Sequence, residues 1–131
     1  MQRTNNRENI IRIFRKFASM GFYSQNYNPI QVYKKIDMFC LSRRSKLDML
    51  AVFDTLRLLT LLGEVDTVKC IEMVYFSNLT QRLSRQEMGR RISKCALELF
   101  RDERTVYRKL EYARDLFEQI RENVGLIDEE N

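Results

Sequence analysis

Four glycines and one proline are all that punctuate 131 residues, and this scarcity constrains the fold more than any other feature of the chain. Strands joined by tight turns call for glycine and proline at many positions, whereas a few long helices do not. Strong helix formers (Leu, Arg, Glu, Lys and Met) fill the stretches between the breaks. The length suits one compact domain or two small ones packed together, and a hydrophobic fraction of 44% can supply a buried core. The expected fold is all-α: a compact helical bundle of about six helices with a C-terminal helix-turn-helix.

Residues 5–20 carry Ile10, Ile11, Phe14, Phe17 and Ala18 at helical spacing, and Gly21 ends the run. Residues 21–29 (GFYSQNYNP) read as a loop, with Pro29 at a first helical position. A second helix is expected over 29–40, offering Ile30, Val32, Tyr33, Ile36 and Phe39 to an apolar face. Residues 42–46 (SRRSK) read as a short basic break. A third helix then covers 45–62, with Leu47, Leu50, Ala51, Phe53, Asp54, Leu58 and Leu61 assigned to a broad, largely apolar face and Gly63 just past its end. A fourth helix is expected over 66–76, capped by Asp66. Residues 1–63 form an N-terminal helical region for core building, dimerisation or partner docking. Residues 64–121 are expected to form the helix-turn-helix region, and 122–131 an acidic flexible tail.

The net charge of +5 hides an uneven distribution. Residues 1–78 hold 12 Lys/Arg against 7 Asp/Glu, and residues 79–121 hold 11 against 7, while residues 122–131 add four acids and no base. A basic body with an acidic end favours a polyanionic partner such as nucleic acid. Three cysteines at wide spacing (Cys40, Cys70, Cys95) are no disulfide framework, and without His or a CxxC motif they make no zinc site. They read as small buried hydrophobes in a reducing cytoplasm. No apolar run reaches the roughly 18 residues of a membrane span. No Gly-rich phosphate loop or nucleophile–base pair suggests an enzyme, no cofactor is expected, and Asp48 and Asp54 read as ordinary helical-face charges.

Residues 79–121 are the informative stretch. Ser84-Arg85-Gln86-Glu87 has the S-x-x-E form of a capping box, so a helix is expected to open at Ser84. Met88, Ile92, Cys95, Ala96 and Leu99 then follow at spacings of three and four. Asp102 is a second cap, ahead of Val106, Leu110, Ala113, Phe117 and Ile120 on a single stripe. Two amphipathic helices joined by so tight a turn match the helix-turn-helix, whose second helix enters a major groove of double-stranded DNA. Arg104 and Arg108 can then offer donor forks to guanine or phosphate, and Thr105 and Tyr107 can reach phosphate or a thymine methyl. On the preceding helix Arg85, Arg90, Arg91 and Lys94 are candidate phosphate clamps.

At residues 102–110 (DERTVYRKL) the chain resembles the recognition helix of sigma region-4-like proteins: a small polar cap, x-R-T-V, then a basic residue and Leu. Residues 83–88 (LSRQEM) resemble their first helix, and residues 66–78 (DTVKCIEMVYFSN) a preceding helix ending in an aromatic pair. This order is similar to the ArpU/RinA-like phage late transcription regulators, with about two extra helical turns between the two caps. The resemblance spans about residues 64–121. It implies a phage- or prophage-encoded regulator with Arg104, Thr105, Tyr107 and Arg108 at the groove and Val106 and Leu110 as core anchors. Its N-terminal helices would dimerise or touch RNA polymerase. The other reading is a non-enzymatic helical adaptor for an acidic protein partner, docking through the Ile10/Phe14/Phe17 stripe and the loop at 22–27.

Overall fold

A computed structural model of the chain describes residues 2–21 and 28–130, and the side chains of residues 6–21 and 28–123. The described residues form six α-helices and no strand: α1 (Gln2–Ser19), α2 (Pro29–Phe39), α3 (Arg43–Leu61), α4 (Val65–Cys70), α5 (Arg85–Leu99) and α6 (Glu103–Glu130). A π-helical turn, Ile71–Tyr75, continues α4. None of these helices is long and apolar enough to cross a membrane.

Local chemistry sets most of the helix ends. Asn28 caps α2, its side chain accepting from the Ile30 N–H, and Pro29 holds the first position. Ser42 caps α3 through the Ser45 N–H, so Arg43 and Arg44 open that helix instead of forming a break before it. At the other end of α3, Gly63 takes φ +76°, donating to the Thr60 carbonyl while Glu64 donates to that of Leu59, a Schellman closure. Asp66 is not the cap expected of it. Glu64 occupies that position, and Asp66 lies in the first turn of α4, facing Arg101 across 3.6 Å.

The core runs the length of the chain, and residues on both sides of the 63/64 division share it. Phe14 of α1 meets Tyr75 of the π turn at 5.8 Å and Phe117 of α6 at 5.4 Å between ring centroids. Phe17 stacks at 6.4 Å on Phe53 of α3, and Tyr33 of α2 meets Phe53 nearly at right angles at 5.3 Å. The Ile10/Phe14/Phe17 stripe is therefore core, which removes the docking face assigned to it, and the loop at 22–27 lies outside the described residues. All three cysteines are buried and free.

Helix α3 is packed by α1, α2, α4 and α6, so its buried arc is wide. It centres on Val52 and Leu59 and takes in Met49, Ala51, Phe53, Thr55 and Leu56. Leu47, Leu50 and Leu58 lie on the flank of that arc, and Leu61 is exposed. The buried Thr55 hydroxyl donates to the Ala51 carbonyl, which lets a polar side chain sit in the core. Helix α6 continues to Glu130, so residues 122–130 extend it where a flexible tail was expected. No proline interrupts that segment, and Gly125 alone costs a helix only about 1 kcal/mol.

Candidate nucleic-acid interface

Both expected caps of the C-terminal pair are in place. The Ser84 hydroxyl accepts from the Glu87 N–H at 3.1 Å, but Glu87 does not return the bond, its carboxylate being taken by Arg90 and Arg91. The Asp102 carboxylate accepts from the Thr105 N–H at 2.7 Å. Between the helices lies a three-residue turn, Phe100 to Asp102. On the inner side Ile92, Cys95, Ala96, Val106, Leu110, Ala113 and Phe117 are buried, as the two stripes require. A bond from the Ser93 hydroxyl to Glu103, 3.1 Å, joins α5 to the start of α6.

Two further ties hold α6 in its seat. Arg114 donates to the Tyr75 hydroxyl at 2.7 Å and Arg121 to Asp48 at 2.8 Å. Arg114 and Arg121 are thus spent on the body, while Arg104 and Arg108 stand exposed one turn apart on the opposite side, with Tyr107 beside them. Among the described residues neither Arg104 nor Arg108 meets a carboxylate at ion-pair distance. Thr105 sits differently. It is half-buried, and its N–H bonds the Asp102 carboxylate, so it serves the cap and is not exposed as Arg104 and Arg108 are.

On α5, Arg85, Arg90 and Lys94 are exposed as expected. Arg90 and Lys94 lie one turn apart beside a cavity, and Arg90 also touches Glu87 at 3.2 Å. Arg91 departs from expectation. It is 6% exposed and turns inward, its Nη1 donating to the carbonyls of Val74 and Ser77 at 2.9 and 2.8 Å and its Nε to Glu87 at 2.9 Å. Arg15 of α1 shares this duty, donating to the carbonyls of Tyr75, Ser77, Asn78 and Gln81. A helix end leaves carbonyls without partners and carries partial negative charge, and these two guanidinium groups satisfy it. Arg91 is therefore an internal tie and not a surface clamp. The charge pattern of α5 could not show this, because the carbonyls it serves lie in and just after a π turn that leaves no periodic signature.

The Asp102 carboxyl is held below the ordinary carboxylate range, first by its bonds from Thr105 and then by the charges of Arg104 and Arg108. A depressed folded-state value contributes stability above the unfolded value, near 4, that is lost as pH falls through the folded one. Asp102→Asn keeps a capping oxygen without the charge. It should flatten the acid limb of a thermal-melt series, whereas Asp102→Ala should lower the melting temperature at neutral pH as well. Equal melting temperatures for all three proteins at pH 7 would contradict the cap.

The turn itself holds a residue that sequence reasoning passed over. Phe100 takes φ +55°, ψ +43°, closing α5 as a Schellman turn with Phe100 donating to Leu97 and Arg101 to Ala96. Glycine is the usual occupant of this left-handed position, and a side chain there costs about 1–2 kcal/mol. Phe100 is also 93% exposed, so it recovers almost nothing by burial. Phe100→Gly is expected to raise stability by roughly 0.5–1 kcal/mol, read from the denaturation midpoint, and a loss of stability would show that the ring has a hidden packing role.

Compared with known protein families, curated proteins and solved structures, the chain finds no match, so the reading of this surface rests on its own residues.

Proposed function

We propose that the chain is a DNA-binding transcription regulator, phage or prophage encoded, that reads double-stranded DNA with the first turns of α6. The observation that carries this reading is the pairing of Arg104 and Arg108. They are exposed, in no ion pair among the described residues, and one turn apart at the start of a helix whose opposite side is locked into the core. Residues at a helix start are the ones that reach base edges when a helix enters the major groove. Tyr107 lies within the same two turns, and Arg85, Arg90 and Lys94 supply cations on α5 for the phosphate backbone. The short motif 102–110 and its resemblance to sigma region-4-like recognition helices point the same way.

Dimerisation or contact with RNA polymerase through the N-terminal helices belongs to the same proposal, since two half-sites multiply the affinity of one reading helix. Met38 and Leu41, exposed at the end of α2, are available for such contact. The adaptor reading loses support because its docking stripe is core.

The test is selection of bound duplexes from a pool of randomised sequence. The expected outcome is convergence on a short motif, and binding to an enriched duplex that exceeds binding to a shuffled one by about a thousandfold or more. Recovery of unselected sequence after several rounds would contradict the proposal.

A further inference from the structure

Where the π turn meets α5, the molecule concentrates positive charge without matching it. Arg15 and Arg91 both donate to the Ser77 carbonyl, at 3.3 and 2.8 Å, so two guanidinium groups converge on one oxygen. Like charges at that separation repel, and the Arg15 group is driven toward its neutral form first by burial and then by the Arg91 charge. Beside them opens a cavity of about 350 Å³, lined by Met73, Ser77, Asn78, Glu87, Arg90, Arg91 and Lys94. Its lining holds three cations and one carboxylate. That carboxylate, Glu87, is already bonded to Arg90 and Arg91, which holds its carboxyl below the ordinary range.

Arg91 brings a second, independent observation. Its Nη1 and Nε are fully engaged, but its Nη2 is buried and has no hydrogen-bond partner among the described residues. An unsatisfied donor on a buried charged group is among the more costly defects a fold can carry. The group that would satisfy it is an acceptor carrying negative charge, brought in through the side where Arg90 and Lys94 stand exposed.

We propose that this cavity is a phosphate-binding site, in which Arg91 meets the phosphate oxygens from within and Arg90 and Lys94 from the rim. Asn78, also among the lining residues, carries an amide donor of the right kind. The phosphate can belong to a DNA backbone or to a free phosphate compound. The first source rests on the reading under Proposed function, and the second does not.

The test uses the full chain and inorganic phosphate. Melting temperature is followed against phosphate concentration, with sodium chloride at matched ionic strength as the reference, for the parent chain and for Arg90→Ala with Lys94→Ala. Both substituted residues are exposed, so the variant should fold, and its far-ultraviolet spectrum checks this. The expected result is a phosphate-dependent rise in the parent beyond that in chloride, with apparent affinity at least about tenfold weaker in the variant. No rise beyond chloride, or an equal rise in the variant, overturns the proposal. The same variant on a selected duplex identifies the source. A fall in DNA affinity alongside the loss of phosphate binding assigns the site to the DNA backbone. Unchanged DNA affinity, or a chain that selects no duplex at all, assigns it to a free phosphate compound.

Discussion

Arg104→Ala combined with Arg108→Ala is expected to weaken binding to a selected duplex by about 2–4 kcal/mol, roughly 30- to 1000-fold. Each single change should cost about 1–3 kcal/mol, and because the two residues lie one turn apart the double change need not equal their sum. Both side chains are exposed and unpaired among the described residues, so the fold should be indifferent, with stability within about 0.5 kcal/mol of the parent. That separation of effects is diagnostic. A general loss of folding would lower both quantities, whereas an adaptor without DNA contact would show neither. Fluorescence anisotropy on the duplex and chemical denaturation of the free protein measure the two, and unchanged duplex affinity in the double variant would remove Arg104 and Arg108 from the interface.

Phe14→Ala should produce the largest loss of stability of any change considered, about 3–5 kcal/mol. The ring is 0% exposed and lies between Tyr75 and Phe117, so it joins α1 to the π turn and to α6 at one point. Truncation removes its burial and leaves a cavity that three separate elements must close. Against a total of about 5–15 kcal/mol for a domain, such a loss leaves a marginal fold. Leu41→Ala is the matching control: the side chain is 99% exposed, and its removal should change stability by no more than about 0.5 kcal/mol. Denaturant midpoints give both values, and a Phe14 effect below about 1 kcal/mol would mean the three elements do not depend on one another as their packing indicates.

The parts of this fold that sequence could show are those governed by spacing along one helix. The stripe from Val106 to Phe117 recurs at three and four residues, and the structure buries it. Ser84 and Asp102 act through bonds to residues three positions on, so they are visible in a short window. What escaped depends on partners far along the chain. Arg91 reads as one more cation on a basic helix until the carbonyls of Val74 and Ser77 are beside it, and Arg15 serves the same helix end from sixty or more positions away. The wide buried arc of α3 follows from having neighbours on several sides, which its own periodicity cannot report. Phe100 escaped because nothing in an aromatic residue foretells a left-handed backbone. The site divides in the same way: Arg104, Tyr107 and Arg108 were legible from helical phase, whereas the turning of Thr105 and Arg91 toward the protein was not.

The salt dependence of duplex binding bears most directly on whether α5 and α6 face DNA. Neutralising about four phosphates should release enough counterions for affinity to fall roughly a hundredfold between about 50 and 200 mM salt. A straight, steep line of log affinity against log salt is the expected result, and it should become shallower when Arg90 and Lys94 are replaced by alanine. A flat line, or no duplex bound at the lowest salt, would contradict the DNA-reading role proposed for these two helices.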